Sequence, residues 1–181
     1  MRIRLRTVLL ILIALVAVGS IWRASSVVEP TAQPSAATFI DGACDAEHPG
    51  VSAFIDFGGG RADIAYCASN FNGSGWDLLT QRISVEGTNE YPTGFVCRIE
   101  GWPTAQEQNC ADTPTYSEGS WVYWVADSST DGWAMSGTGS SMRRPDCGSS
   151  EAWVFSKTSV SDTENADEPK AAPVVFKCSK K

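Results

Sequence analysis

Six cysteines, Cys44, Cys67, Cys97, Cys110, Cys147 and Cys178, restrict the folds open to this 181-residue chain more than any other feature of it. An even set of cysteines downstream of an export signal reads as a disulfide framework. Many pairings are formally open to six half-cystines. Placement on strands favours Cys44 with Cys67, Cys97 with Cys110, and Cys147 with Cys178, each closing a loop and contributing on the order of 3 kcal/mol by chain entropy. Zinc is the competing use of cysteine, and it wants Cys or His at short ordered spacings. Here no two cysteines lie closer than 13 residues and His48 is the only histidine, so no metal site is expected.

The export signal is the N-terminal MRIRLRTVLLILIALVAVGSIW, where Arg2, Arg4 and Arg6 precede an apolar run from Val8 to Val18. Cleavage after Gly19 would put Ala17 and Gly19 at the small-residue positions a signal peptidase prefers. Trp22 and Arg23 instead resemble the outer boundary of an uncleaved anchor, although the 16 residues from Thr7 to Trp22 fall short of the roughly 20 a comfortable span needs. Both outcomes fit, and both place the rest of the chain outside the cell or in its envelope. No cysteine follows the apolar run closely, so a lipoprotein anchor is not expected. Beyond residue 23 the chain carries ten basic and 21 acidic residues, a net charge of −11. Such a surface repels phosphate backbones and anionic lipid, which excludes nucleic acid as a partner and favours soluble neutral, cationic or apolar ones.

With 43% hydrophobic residues the chain can build one domain with a core. Residues 24–43 are rich in Ser, Ala and Pro and read as a flexible linker after the signal or anchor of residues 1–23. The folded unit is expected over 44–156. VSAFIDF and RADIAYC flank Gly58–Gly60 as a β-hairpin. The stretch Asn72-Gly-Ser74 offers a capping residue for a short helix over Gly75–Arg82, where Trp76, Leu79 and Ile83 share a face. Alternation in Gly94–Glu100 puts Phe95, Cys97 and Ile99 on one face. Trp121–Ala126 and Gly132–Ser136 flank DSSTDG as a second hairpin, and Glu151–Ser156 makes a last strand. Residues 157–181 read as an acidic tail whose closing VVFKC adds an edge strand. Hairpin, helix and further strands define an α+β domain with one helix packed on a mixed sheet.

From Cys44 to Phe155 the chain resembles small exported bacterial proteins whose domain is similar to the C-terminal β-domain of transcobalamin and intrinsic factor. The resemblance rests on Cys44 before a strand ending DFGGG, the return to Cys67, GWDLL followed by VEGT, GFVCRIEGWP with Cys110, the Tyr123–Trp124 pair, Trp133 and the closing GSSEAWVF. It implies a β-grasp-like sheet of the group that binds soluble ligands, with cobalamin or a related corrinoid as the candidate ligand and no built-in cofactor. Family context adds delivery to an uptake transporter, or a second protein that completes the site. The large helical half of the cobalamin clamp has no counterpart in these residues, and Cys147 with Cys178 is an addition to the pattern. Full cobalamin affinity is therefore not implied.

Aromatic residues carry the site reading. Trp121, Tyr123, Trp124 and Trp133 lie on two paired strands, and alternation sets Trp121 and Tyr123 opposite Val122 and Trp124. Aromatics thus occupy both faces, one of which packs under the helix. Tyr123 and Trp124 are the leading ligand-binding candidates, because the resemblance points to them; Trp121 and Trp133 follow. Trp102 and Tyr116, near the Cys97–Cys110 loop, are secondary. Asp127, Ser129 and Asp131 mimic the start of a calcium loop, but Thr138 stands where position 12 needs a bidentate Glu, so a hairpin turn is expected. Asp56 and Asp63 read as solvated carboxylates and Asn72 as part of a cap rather than a glycosylation site. No nucleophile, base and acid come together, so no catalytic residue is expected. The competing class is a non-catalytic protein-interaction or envelope-structural module with no small ligand.

Overall fold

A computed structural model of the chain describes residues 36–115, 117–157 and 167–178. Eight strands are present among them: β1 Thr38–Asp41, β2 Val51–Asp56, β3 Ile64–Ser69, β4 Val85–Gly87, β5 Val96–Ile99, β6 Ser120–Ala126, β7 Ala134–Met135 and β8 Ser150–Ser156, with one helix, α1, over Gly75–Thr80. Six strands form a sheet in the order β1-β3-β2-β8-β6-β7, and β4 with β5 forms a separate ribbon. β2 and β8 run parallel at the centre, and the other pairings of the sheet are antiparallel. Every residue of β2 and β8 is buried, as expected of a parallel pair covered on both faces.

Local chemistry explains the turns. Gly58 and Gly59 hold positive φ of 62° and 86° at the β2–β3 reversal, a conformation glycine adopts without strain. Asp56 Oδ1 accepts the Gly58 N–H at 2.9 Å and Asp63 Oδ1 accepts that of Phe57 at 3.0 Å, closing the turn. Ser74 and Asp77 make a reciprocal capping box at the start of α1. Leu78 and Leu79 of α1 then bury against one sheet face, among Val51, Ala53, Ile55, Phe57, Trp121, Trp153 and Phe155. The opposite face is a smaller cluster of Phe54, Val122, Trp124, Ala152 and Val154, with Trp133, Met135 and Val174 against it.

The disulfides join Cys44 to Cys67, Cys97 to Cys110 and Cys147 to Cys178, the pairing that strand placement favours. Three disulfides mark a chain that matures in an oxidising environment. No helix among the described residues is long and apolar enough to cross a membrane.

Five expectations change. β1 falls within the segment read as a linker: Phe39 packs edge-on against Tyr66 and the strand pairs with the outer edge of β3. Residues 174–178 are not a strand, because β8 already has β2 and β6 on its two sides. Instead the Ser150 hydroxyl accepts the Val174 N–H at 3.0 Å and donates to its carbonyl at 2.7 Å. Residues 167–178 of the acidic tail thus dock on the fold, and Asp56 is buried rather than solvated, its Oδ1 2.5 Å from Lys170 Nζ. In β5, Val96 and Ile99 enter the core and Phe95 stays half-buried, where a register shift opposite Glu86 and Gly87 breaks the alternation.

Candidate functional site

β6 places its aromatics by simple alternation. Trp121 and Tyr123 face α1, and Val122 and Trp124 face away. Trp121 meets the rings of Phe57 and Phe155 edge-on, at 5.4 and 5.5 Å. Tyr123 stacks on Trp153, its directly opposed partner on β8, at 4.9 Å and 28°. Trp124 is buried on the second face. Trp133 lies against Phe54 and donates its indole N–H to the Ala171 carbonyl at 2.7 Å.

Since β7 spans only Ala134–Met135, it covers only the C-terminal half of β6. Beside the uncovered half opens a cleft of about 390 Å³, walled by Trp121, Tyr123 and Trp153, by Phe95 and Val96, and by the loop Ser136–Ser140. None of the lining side chains carries a formal charge. Aromatic walls meet a few hydroxyl and backbone groups there, and its volume falls in the general range of small-molecule clefts.

The loop after β7 is fixed to the helix and to the sheet. The Ser140 carbonyl accepts the Trp76 N–H at 3.1 Å, and the Arg143 carbonyl accepts that of Gly75 at 2.9 Å. The Arg143 guanidinium donates through Nε to both oxygens of Glu151, at 3.0 and 3.1 Å, and through Nη2 to Asp127 Oδ2 at 3.1 Å. Tyr123 donates its hydroxyl proton to Glu151 Oε2. Glu151 itself is fully buried. Burial pushes its carboxyl up to about 7 against the downward pull of Tyr123 and Arg143. Burial, followed by the adjoining Glu151 charge, drives the Tyr123 phenol far above its ordinary value, so it stays a donor. The Ser129 hydroxyl and amide and Arg143 hold Asp127 below the usual carboxylate range.

The expected site residues are therefore spread over the fold. Trp121 and Tyr123 share the cleft. Trp124 and Trp133 belong to the opposite face, and Trp102 lies at a different cleft of about 680 Å³ beside the Gly58–Gly60 turn, in edge contact with Phe155. Tyr116 lies outside the described residues. Glu151, Arg143 and Trp153 were not singled out by sequence, although one signal was present: period two puts Glu151 on the core-facing side of β8 with Trp153 and Phe155, where a carboxylate needs a cation. The DSSTDG segment is a turn closed by Asp127, and no group of three or more His, Cys, Asp or Glu among the described residues is placed to hold a metal.

No family model matches the chain, and no curated protein or solved structure is significantly similar to it.

Proposed function

We propose that this chain is an exported, non-enzymatic binding module that holds a soluble, flat, uncharged ligand at the cleft beside β6. The observation that carries the reading is an aromatic cleft with no formal charge on its lining, in a protein whose net charge is −7. Apolar ring systems gain from Trp121, Tyr123 and Trp153, while the hydroxyls and carbonyls of Ser136–Ser140 orient polar edges. A corrinoid is the ligand class the family resemblance suggests. At about 390 Å³ the cleft would grip one edge of so large a molecule, which leaves room for a transporter or second protein on the other side. The β3-β2-β8-β6 order, with its parallel central pair and a helix after the first hairpin, supports a β-grasp-like reading of the domain, with β1 and β7 added at the edges.

Calorimetric titration of the oxidised chain with cobalamin, other corrinoids and other flat cofactors tests this. Saturable heat is expected, and Gly137→Trp should weaken it, since Gly137 lines the cleft and a Cβ there meets no heavy atom within 4 Å, leaving space for an indole at its edge. Trp124→Ala, on the other face, should leave affinity intact in the folded protein. Absence of heat across the panel would sink the proposal.

A second reading has its own support. Tyr91 is 51% and Met142 78% exposed, on turns brought together where Gly139 approaches the Gly94 carbonyl. Large exposed apolar side chains on neighbouring turns favour a protein partner. Binding of a protein that Met142→Ser abolishes, with no small-molecule heat, would favour that class.

A further inference from the structure

The outer edge of β6 is left open where β7 ends. Trp124 pairs with Met135, and the Ser136 N–H still reaches the Tyr123 carbonyl at 2.9 Å. Carried on by two residues, that register would set Thr138 opposite Trp121. Thr138 instead turns back on Ser136, whose hydroxyl donates to the Thr138 carbonyl at 2.7 Å and accepts the Thr138 N–H at 3.3 Å. The loop is thereby satisfied without β6, and the cleft opens between the two.

β6 keeps an unbroken register with β8 from Ser120 to Ala126, so its backbone groups alternate strictly between its two edges. Since the Tyr123 carbonyl points to the β7 side, the Tyr123 N–H and both backbone groups of Trp121 point there too. The close stack of Tyr123 on Trp153 fits this, because opposed residues that exchange no hydrogen bonds bring their side chains nearest. Among the described residues no hydrogen bond reaches the Trp121 N–H, the Trp121 carbonyl or the Tyr123 N–H. β6 thus presents donor, acceptor and donor in order along the cleft, and an unpaired edge of this kind is a template for another strand. A parallel neighbour matches all three groups. Its residue beside Val122 donates its N–H to the Trp121 carbonyl and accepts the Tyr123 N–H, while the carbonyl two residues earlier accepts the Trp121 N–H. An antiparallel neighbour would reach only the two groups of Trp121, since Ser136 already holds Tyr123.

We propose that the β6 edge captures an uncharged peptide in extended conformation, added parallel to Trp121–Tyr123 as a short extra strand. The proposal rests on reading the cleft as a ligand site and adds the backbone of β6 to the aromatic walls as what recognises the ligand. Main-chain hydrogen bonds supply the affinity in strand addition, and alternate side chains supply the selectivity. Here the side chains on either side of the residue beside Val122 fall on the Trp121 and Tyr123 face of the sheet, where apolar groups gain from the rings. None of the lining side chains carries a charge that would hold a terminal carboxylate or ammonium, so the segment is an internal stretch or one with blocked ends. A second copy of the chain cannot supply the strand from its own β6, whose open edge lies behind the same Ser136–Ser140 wall.

The probe is acetyl-Leu-Thr-Leu-amide, whose acetyl carbonyl, threonine N–H and threonine carbonyl match the three groups in order. Titrated into the isotope-labelled oxidised chain, it should shift the Trp121 and Tyr123 amide resonances and slow their hydrogen exchange, and leave the exchange of Val122, whose N–H faces β8, unchanged. Methylation of the threonine nitrogen removes the donor to Trp121 and should weaken binding about tenfold, the effect of leaving one acceptor unpaired. Methylation of the C-terminal leucine nitrogen, which points away from β6, should change it little. Equal weakening by the two methylations, or no binding of the unmethylated probe, overturns strand addition. A Trp121 amide already protected without peptide would mean that the Ser136–Ser140 loop closes the edge itself, and protection that grows with protein concentration alone would assign the edge to a second copy; either overturns the peptide. Corrinoid heat without binding of the probe upholds the flat-ligand reading and overturns this one, whereas binding of the probe without corrinoid heat does the reverse.

Discussion

Lys170 reaches Asp56 across 114 residues of chain, placing Nζ 2.5 Å from Oδ1 and donating its own backbone N–H to Oδ2 at 3.2 Å. The pair ties the C-terminal segment to the end of the central strand β2, at the mouth of the β2–β3 turn. Asp63, 3.7 Å from the same ammonium, makes a weaker second partner.

Lys170→Met should therefore destabilise the protein, but modestly. The lysine side chain is 59% exposed, so solvent screens much of the attraction and the expected loss is about 1 kcal/mol in urea unfolding. Asp56→Ala should lose more, because the buried carboxylate also holds the Gly58 and Lys170 amides. Burial works against its ionisation, yet Lys170 and Gly58 together hold the Asp56 carboxyl below its ordinary 3.8. A depressed folded value stabilises above 3.8 and ceases to as pH falls through the folded value beneath it. The difference between wild type and Lys170→Met should accordingly shrink in strong acid. A difference that grows there would refute the pairing.

Gly75 tests how closely α1 approaches the cleft wall. A Cβ at that position would stand 2.5 Å from Tyr123 Oη and 3.1 Å from the Ser140 carbonyl, both closer than van der Waals contact. Gly75→Ala should push Tyr123 off Glu151 and loosen its stack on Trp153, with a loss of about 1 to 3 kcal/mol from overpacking. Near-UV circular dichroism reads the aromatic stack directly. An unchanged spectrum with unchanged stability would show that the helix does not depend on this approach.

What could be read from the chain followed range. The β2–β3 hairpin, a helix cap within Asn72–Ser74, the β6–β7 hairpin and β8 are specified by neighbours within a few residues, so alternation and turn chemistry reveal them. Lys170 is different. In a polar, charged stretch it looks solvated, and nothing nearby announces a buried carboxylate 114 residues upstream. β1 was hidden for a similar reason: a four-residue strand after a Ser, Ala and Pro-rich run has too few positions to show a period. The aromatic site was legible only in part. Alternation separates Trp121 and Tyr123 from Trp124, but the short β7 that leaves the cleft open depends on where the Ser136–Ser140 loop departs, which no periodic signal records.

The disulfides should differ in reactivity. Cys44, Cys67, Cys97 and Cys110 are each at most 2% exposed, whereas Cys147 is exposed and Cys178 half-buried. Attack by a thiolate needs access to sulfur, so mild reductant with alkylation and mass spectrometry should open Cys147–Cys178 first. What that bond holds is the segment carrying Lys170, Ala171 and Val174, which caps Asp56, Trp133 and Ser150. The double variant Cys147→Ser, Cys178→Ser should lose about 3 kcal/mol, as expected for opening a loop of this length, and should raise Trp133 fluorescence exposure while leaving the Tyr123–Trp153 stack undisturbed on the other face. Simultaneous reduction of all three bonds would mean that the buried cysteines are reached by unfolding rather than by access. Loss of the Tyr123–Trp153 signal in the variant would mean that the C-terminal segment supports the cleft face as well as its own.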